Sequence, residues 1–339
     1  MAVMNYGRQR GVALLMVLMA LAMLAGGLTW LVQQGREEIE RTRQLQTRIQ
    51  ARAVDTAARA FAVQAMRDPA WRESPLFWQA LRGMPLPYRF EGGQARLLLR
   101  DLRTCFNLNA LVGEDQARAR RQLAHLLGGG RPSFDDDRLI DGLIDWMDAD
   151  HQAQVLGAET DQYLRLPRPR VAANQPLRDT SELNLLLPAD PQRYLRHPQL
   201  CALPENTGWR LNANALTLEQ LPLLDALYEG GLPRSLLTRL ISARPAGGYR
   251  DADDLRRHLG ALDEATFERL GEGLLLNSDH FLLGIEIRLD EADYRTLHQV
   301  EVRGVSRWHS RVPAQQVLFR SRQPAPFWTA QTPARLLVP

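Results

Sequence analysis

Residues 12–32 read VALLMVLMALAMLAGGLTWLV, a run of 21 residues without a charge. At about 1.5 Å of rise per residue, a helix over this run is about 31 Å long, which matches the hydrocarbon core of a bilayer. A secretory signal would carry a shorter apolar stretch, about 7 to 15 residues, and a small-residue cleavage site after it. Here the helical pattern continues. Ile39, Leu45, Ile49, Ala53, Ala57 and Phe61 recur about four apart among polar residues, and no proline interrupts until Pro69. The pattern predicts one helix over about residues 12–67, half in lipid and half in water. Arg8 and Arg10 precede it, while Arg36, Arg41 and Arg43 come after, interleaved with Glu37, Glu38 and Glu40. Orientation therefore rests on the shortness of the leader, and the reading is N-terminus inside, remainder outside.

Beyond this helix, a chain of 339 residues has length enough for one large domain or two ordinary ones. All 42 bases are Arg, against 39 acids, for a net charge of +3. That balance gives no strong footprint for nucleic acid. With no Lys, the chain has no residue for a Schiff base or a phosphate-loop lysine. No GxSxG, HExxH, Walker or GxGxxG pattern occurs, and no His sits at ligand spacing from Cys or Glu. No catalytic residue is nominated. Cys105 and Cys201 fit no metal motif. They are a disulfide candidate if the bulk of the chain is exported, and two separate buried thiols otherwise.

Strand character appears at residues 89–101, with Gly92-Gly93 as a turn, and again at 280–290, 297–305 and 312–320. Between them lies a helical, loop-rich block of roughly 170 residues. The economical architecture is α+β, a long N-terminal helix on an antiparallel sheet with an α-helical domain inserted between strands.

Two segments of the block stand out. Asp137, Asp141 and Asp145 step by four along one helical face, and from Asp148 the spacing runs D-x-D-x-Q-A-x5-E to Glu159. This is close to an EF-hand loop, with oxygen side chains at Asp148, Asp150, Gln152 and Glu159. Ala153 stands where the sharp-turning Gly is usual. Calcium binding, a solvated acidic helix with a capped loop, and a catalytic carboxylate pair without an accompanying His or Ser all stay open. The second segment, residues 211–276, has short helices and glycine turns that resemble helix-hairpin-helix or SAM-like modules. It carries seven Arg against ten acids, the wrong sign for phosphate, which favours protein packing over DNA.

A basic leader ending in Gly11, just before the apolar run, resembles the type IV pilin N-terminus, in which a prepilin peptidase cuts after the Gly. The pilin pattern expects Glu at the fifth mature position; here it is Met16. Taken with DLRTCFNLNAL, LIDWMDADHQ…GAETDQYL, VAANQPLRDTSELNLL, CALPENTGWRLNANAL and ARPAGGYRDADDL, the chain resembles the type II secretion minor pseudopilin, general secretion pathway protein K, a family that lacks that Glu.

The resemblance implies a type IV pilin-like fold with a large inserted SAM-like or helix-hairpin-helix-like domain. Its divisions would be a leader at 1–11, a transmembrane helix at 12–32 and an amphipathic helix with first strands at 33–105. The inserted domain would cover 106–280, and C-terminal strands 281–339. It implies processing between Gly11 and Val12, N-terminal methylation, and a place at the tip of the pseudopilus, starting or capping the fibre that drives folded exoproteins outward. The implied partners are I- and J-type minor pseudopilins, the prepilin peptidase and the inner-membrane platform, with no nucleic acid. The chain would be a single-pass inner-membrane protein, N-terminus cytoplasmic and bulk periplasmic. Calcium would be held by Asp148, Asp150, Gln152 and Glu159, with Asp161 as an addition. A membrane-anchored DNA receptor built on the helix-hairpin-helix-like segment is the alternative.

Overall fold

The computed structural model describes residues 9–129, 131–187, 194, 197–204, 208–289, 292–304 and 316–322. Two compact units divide the chain after Thr56, and the described residues of the first are helix alone.

Helix α1 runs Gln9–Arg67 without a break. It is long and apolar enough to cross a membrane. Its described backbone includes Gly11 and Val12, while residues 1–8 of the leader lie outside the described residues. Asp68 ends it by capping the next turn, accepting from the Ala70 N–H, with Pro69 at the first position of α2 (Pro69–Arg72). The apolar positions Ile39, Leu45, Ile49 and Phe61 are more than half exposed. Burial near the helix end falls instead on Ala58, Ala62, Ala65 and Met66, a stripe of mostly small side chains that allows close packing. An edge-on aromatic chain then leads inward from Phe61 to Trp71, on to Phe77 in α3 (Pro75–Leu81), and to Phe281.

The sheet is antiparallel in the order β1 (Leu86–Phe90), β2 (Gly93–Asp101), β7 (His280–Leu289), β8 (Ala292–Arg303), β9 (Gln316–Arg322). Glu91 and Gly92 make the first turn, Gly92 at φ +83°, a conformation that glycine adopts without steric cost. One face buries Ala95, Leu97, Leu99, Leu283, Ile285 and Ile287, the alternation expected of a sheet covered on one side. The first strand begins earlier than the sequence suggests, because Pro87 masks it. An edge strand tolerates that proline. Of the strand expected at 297–305, Val305 lies outside the described residues. So do positions 312–315 of the last one, and 323–339.

The helical block leaves the sheet after Asp101 and returns at His280, and it repeats one plan. In the first half, β3 (Phe106–Asn107) leads to α4 (Gln116–Gly128), α5 (Phe134–Met147) and α6 (Thr160–Leu164), and β4 (Leu200–Cys201) pairs in parallel with β3. In the second, β5 (Leu211–Asn212) leads to α7 (Leu221–Leu227), α8 (Arg234–Ser242), α9 (Ala252–Leu259) and α10 (Glu264–Gly273). It pairs in parallel with β6 (Leu274–Leu275). One continuous apolar core runs through both halves, including Leu111, Leu123, Ile140 and Tyr163 from the first and Leu216, Leu224, Leu237 and Leu270 from the second.

Candidate metal centre in the acidic loop

Helix α5 starts at a capping box: the Asp136 N–H donates to Ser133 Oγ, and the Ser133 N–H donates to Asp136 Oδ2. Asp135, Asp136 and Asp137 crowd its first turn, where the helix dipole favours negative charge. Leu139, Ile140, Leu143, Ile144, Trp146 and Met147 bury its apolar positions. Asp141 and Asp145 are buried too, at 2% and 0% exposure, so the face they define is covered and not solvated.

The loop after α5 folds back to cover that face. Both carboxylate oxygens of Asp145 accept the Gln154 N–H, at 3.0 and 3.1 Å. Asp141 Oδ2 accepts the Leu156 N–H at 3.0 Å, while its Oδ1 pairs with Arg120. Gly157 lies so close above that a Cβ there would sit 1.9 Å from Asp145 Oδ2. Two carboxylates of α5 thus pin the returning loop onto the helix. Sequence spacing placed them on one face, but only the burial of that face shows what they do.

The loop carries Asp148, which ends α5, round to Glu159, which starts α6. One carboxylate oxygen from each of Asp148, Asp150 and Glu159 falls within 4.8 Å of the others. Gln152 is exposed and contributes its N–H to Asp150 Oδ1, at 2.8 Å. Asp161 is exposed on the first turn of α6 and is not in the group. Ala153 does not adopt a positive φ. The loop therefore does not make the EF-hand turn, and the usual Gly is not required.

The electrostatics are unfavourable without a cation. Glu159 is 5% exposed, its carboxylate offset only by backbone N–H groups at the start of α6, and Asp148 Oδ1 is buried without a hydrogen-bond partner. Burial first, then the charges of Asp150, Glu159 and Asp145, push the Asp148 carboxyl up to about 6. Burial also raises Asp145 to about 6, with Glu159 and Asp141 adding to it, and raises Glu159. Buried unpaired carboxylates are costly. An oxygen-seeking divalent cation would neutralise Asp148 and Glu159 together with the exposed Asp150, and carbonyl and carboxylate oxygens are the donors that calcium takes. The residues fit the ion.

Elsewhere in the first half, Cys105 and Cys201 are joined by a disulfide, Cα–Cα 5.9 Å, packed with Leu102 and Leu203. In the second half, the end of α7 and the hairpin turn after it carry Asp225, at 2.8 Å from His125, and Glu229, at 2.8 Å from Arg121. Acids at that turn repel a phosphate backbone, which argues against the DNA-receptor alternative.

Comparison with known proteins respects the same division. The family described as type II secretion system protein K matches residues 104–205 with one model and 211–271 with a second, one to each half of the block. Type II secretion system protein K of Pectobacterium carotovorum subsp. carotovorum is 29% identical over 302 residues, covering 85% of this chain and 90% of that one. The putative type II secretion system protein K of Escherichia coli (strain K12) is 31% identical over 259 residues, covering 72% and 78%. Among solved structures, a chain of the GspK-GspI-GspJ complex from the enterotoxigenic Escherichia coli type 2 secretion system superposes with a TM-score of 0.61. Its identity is 27%, over 83% of this chain and 99% of that one. The long helix, antiparallel sheet and interposed helical block define a minor pseudopilin of type II secretion. The chain belongs to the type II secretion system protein K family.

Proposed function

We propose that this chain is a non-enzymatic subunit at the tip of the periplasmic pseudopilus, where it starts or caps the fibre that moves folded exoproteins outward. The observation that carries the reading is the likeness, over 83% of this chain and 99% of the other, to a protein solved in complex with GspI and GspJ. Its partners are then an I-type and a J-type minor pseudopilin. The fold gives a physical reason for a terminal place. A head-to-tail interface extends a fibre until one subunit lacks the acceptor surface, and the helical block is a bulky head unlike a plain pilin sheet. Met16 fits that place, since no carboxylate in lipid is left to be paired by a subunit above.

In this reading the prepilin peptidase cuts between Gly11 and Val12, the new Val12 amine is methylated, and α1 anchors the chain in the inner membrane with its bulk in the periplasm. The Cys105–Cys201 bond supports an oxidising compartment. Asp148, Asp150 and Glu159 would hold a calcium ion, with Gln152 at the rim and Asp161 outside the inner group. The ion would supply charge neutralisation that fixes the loop to α5, a structural service.

The test is co-expression of the full chain with prepilin peptidase and with I- and J-type partners. The expected result is a stable three-component complex in which this chain begins at Val12. A chain that keeps residues 1–11, or that purifies alone in the presence of both partners, contradicts the reading.

A further inference from the structure

A domain inserted between two neighbouring strands is held by two linkers lying side by side, which is the geometry of a hinge. Here the linkers are short, from Asp101 to Cys105 on the way out and from Leu276 to His280 on the way back, and they are tied to each other. Asp101, at 0% exposure, is the last residue of β2 and pairs across the ladder with Phe281. Its carboxylate accepts from three segments: Ser278 Oγ at 2.5 Å on the return linker, Asn212 Nδ2 at 2.6 Å in the second half of the block, and its own linker's Arg103 N–H at 2.7 Å. Beside it Arg103 donates from Nε and Nη2 to both oxygens of Asp279, each at 2.8 Å. The Asp279 carbonyl accepts from Val302 in β8 at 2.7 Å. The first half of the block is tied in as well, since Arg100 donates to the Pro198 carbonyl.

We propose that Asp101 is the positioning residue that fixes the inserted block against the five-stranded sheet, so that the two move as one rigid body and the block does not swing on its linkers. A buried carboxylate is an expensive choice for a mere strand end, and burial pushes this one up to about 6 despite its three donors. A carboxylate does here what no apolar or amide side chain can do, because all three partners are donors. The inference rests on this junction alone and stands whichever place in the fibre the subunit takes.

Pulsed electron-spin distance measurements on the full chain in detergent test it, with the native cysteines held in their disulfide. Labels at Tyr88→Cys on the sheet edge, Phe134→Cys in the first half and Leu218→Cys in the second are all exposed positions. With Asp101 intact, the 88–134, 88–218 and 134–218 distributions are all expected to be narrow. With Asp101→Asn, the two that cross the junction should broaden while 134–218 stays narrow. Ser278→Ala and Arg103→Gln, milder changes, should broaden the same two pairs to a smaller extent, and they decide the matter if Asp101→Asn does not fold. Unchanged cross-junction distributions overturn the proposal. Equal broadening of all three pairs overturns it too, since that would be general loosening.

Discussion

The two halves of the helical block open with nearly the same words, FNLNAL at residues 106–111 and LNANAL at 211–216. The chemistry behind the words is the same. Asn109 donates from Nδ2 to the carbonyls of Leu177 and Leu203 and accepts the Leu177 N–H; Asn214 donates to the carbonyls of Tyr249 and Leu276 and accepts the Tyr249 N–H. Each stapled residue precedes an Arg-Asp pair, Arg178-Asp179 or Arg250-Asp251, and a capped helical turn. The halves differ in what is hung on the plan. The second joins α8 to its staple through the short loop at 243–248. The first spends residues 148–176 on the same passage, adds three clustered carboxylates, and closes with a disulfide. One half is a plain packing module; the other is specialised, and held by bonds the second does not use.

That contrast can be broken from several sides. The largest effect should come from Cys105→Ser with Cys201→Ser. Closing a loop of 96 residues removes enough unfolded-state entropy to be worth about 4.7 kcal/mol, lost in denaturant unfolding of the double variant. Should the variant unfold at the wild-type midpoint, the disulfide is not what holds the first half. Next come Asn109→Ala and Asn214→Ala. Each orphans buried backbone groups and should cost about 3 kcal/mol, with the two costs similar because the staples are equivalent. Widely unequal melting shifts would show that the likeness of the halves is only geometric.

Calcium should act on one half alone. At a hundredfold excess over its dissociation constant, a ligand adds about 2.7 kcal/mol. Glu159→Gln should abolish the calcium-induced rise in melting temperature, and an undiminished rise would place the ion elsewhere. The pH dependence sharpens this. Asp145 and Asp148 titrate at about 6 in the metal-free fold, above the roughly 4 of an unfolded chain, so protonation favours that fold. Their contribution is fully present below about pH 4 and is lost as pH rises through 6. The gap between calcium-loaded and chelator-treated melting temperatures should therefore widen from pH 5 to pH 7. Asp101, also near 6, moves both melts alike and drops out of the gap. A gap that narrows over this range contradicts the assignment. Smallest of all is Ala153→Gly, which supplies the glycine of an EF-hand loop. Since Ala153 has no positive φ, stability should change by no more than about 0.5 kcal/mol and calcium affinity should not improve.

Much of this architecture was legible in the residues. The uncharged run and the absence of proline before Pro69 gave the long helix, and alternation in residues 280–290 gave β7. Strand character on either side of a helical block gave the order of parts, and EF-hand-like spacing pointed to Asp148, Asp150, Gln152 and Glu159. Other features were hidden for physical reasons. Asp141 and Asp145 at four-residue spacing look the same whether the face is wet or covered, and only the loop folding back decides it. The Asn staples act on backbone groups 35 to 94 residues away, where side-chain pattern carries no signal. Asp101 reads as an ordinary strand-end acid until Asn212 and Ser278 arrive from distant segments.

The most direct measurement is hydrogen exchange of the full chain in detergent, with calcium and with chelator. Calcium is expected to slow exchange in the first half of the block, most strongly over residues 145–163, and to leave residues 211–276 unchanged. Protection spread evenly over both halves, or none at all, would contradict a metal-fixed first half beside a plain second one.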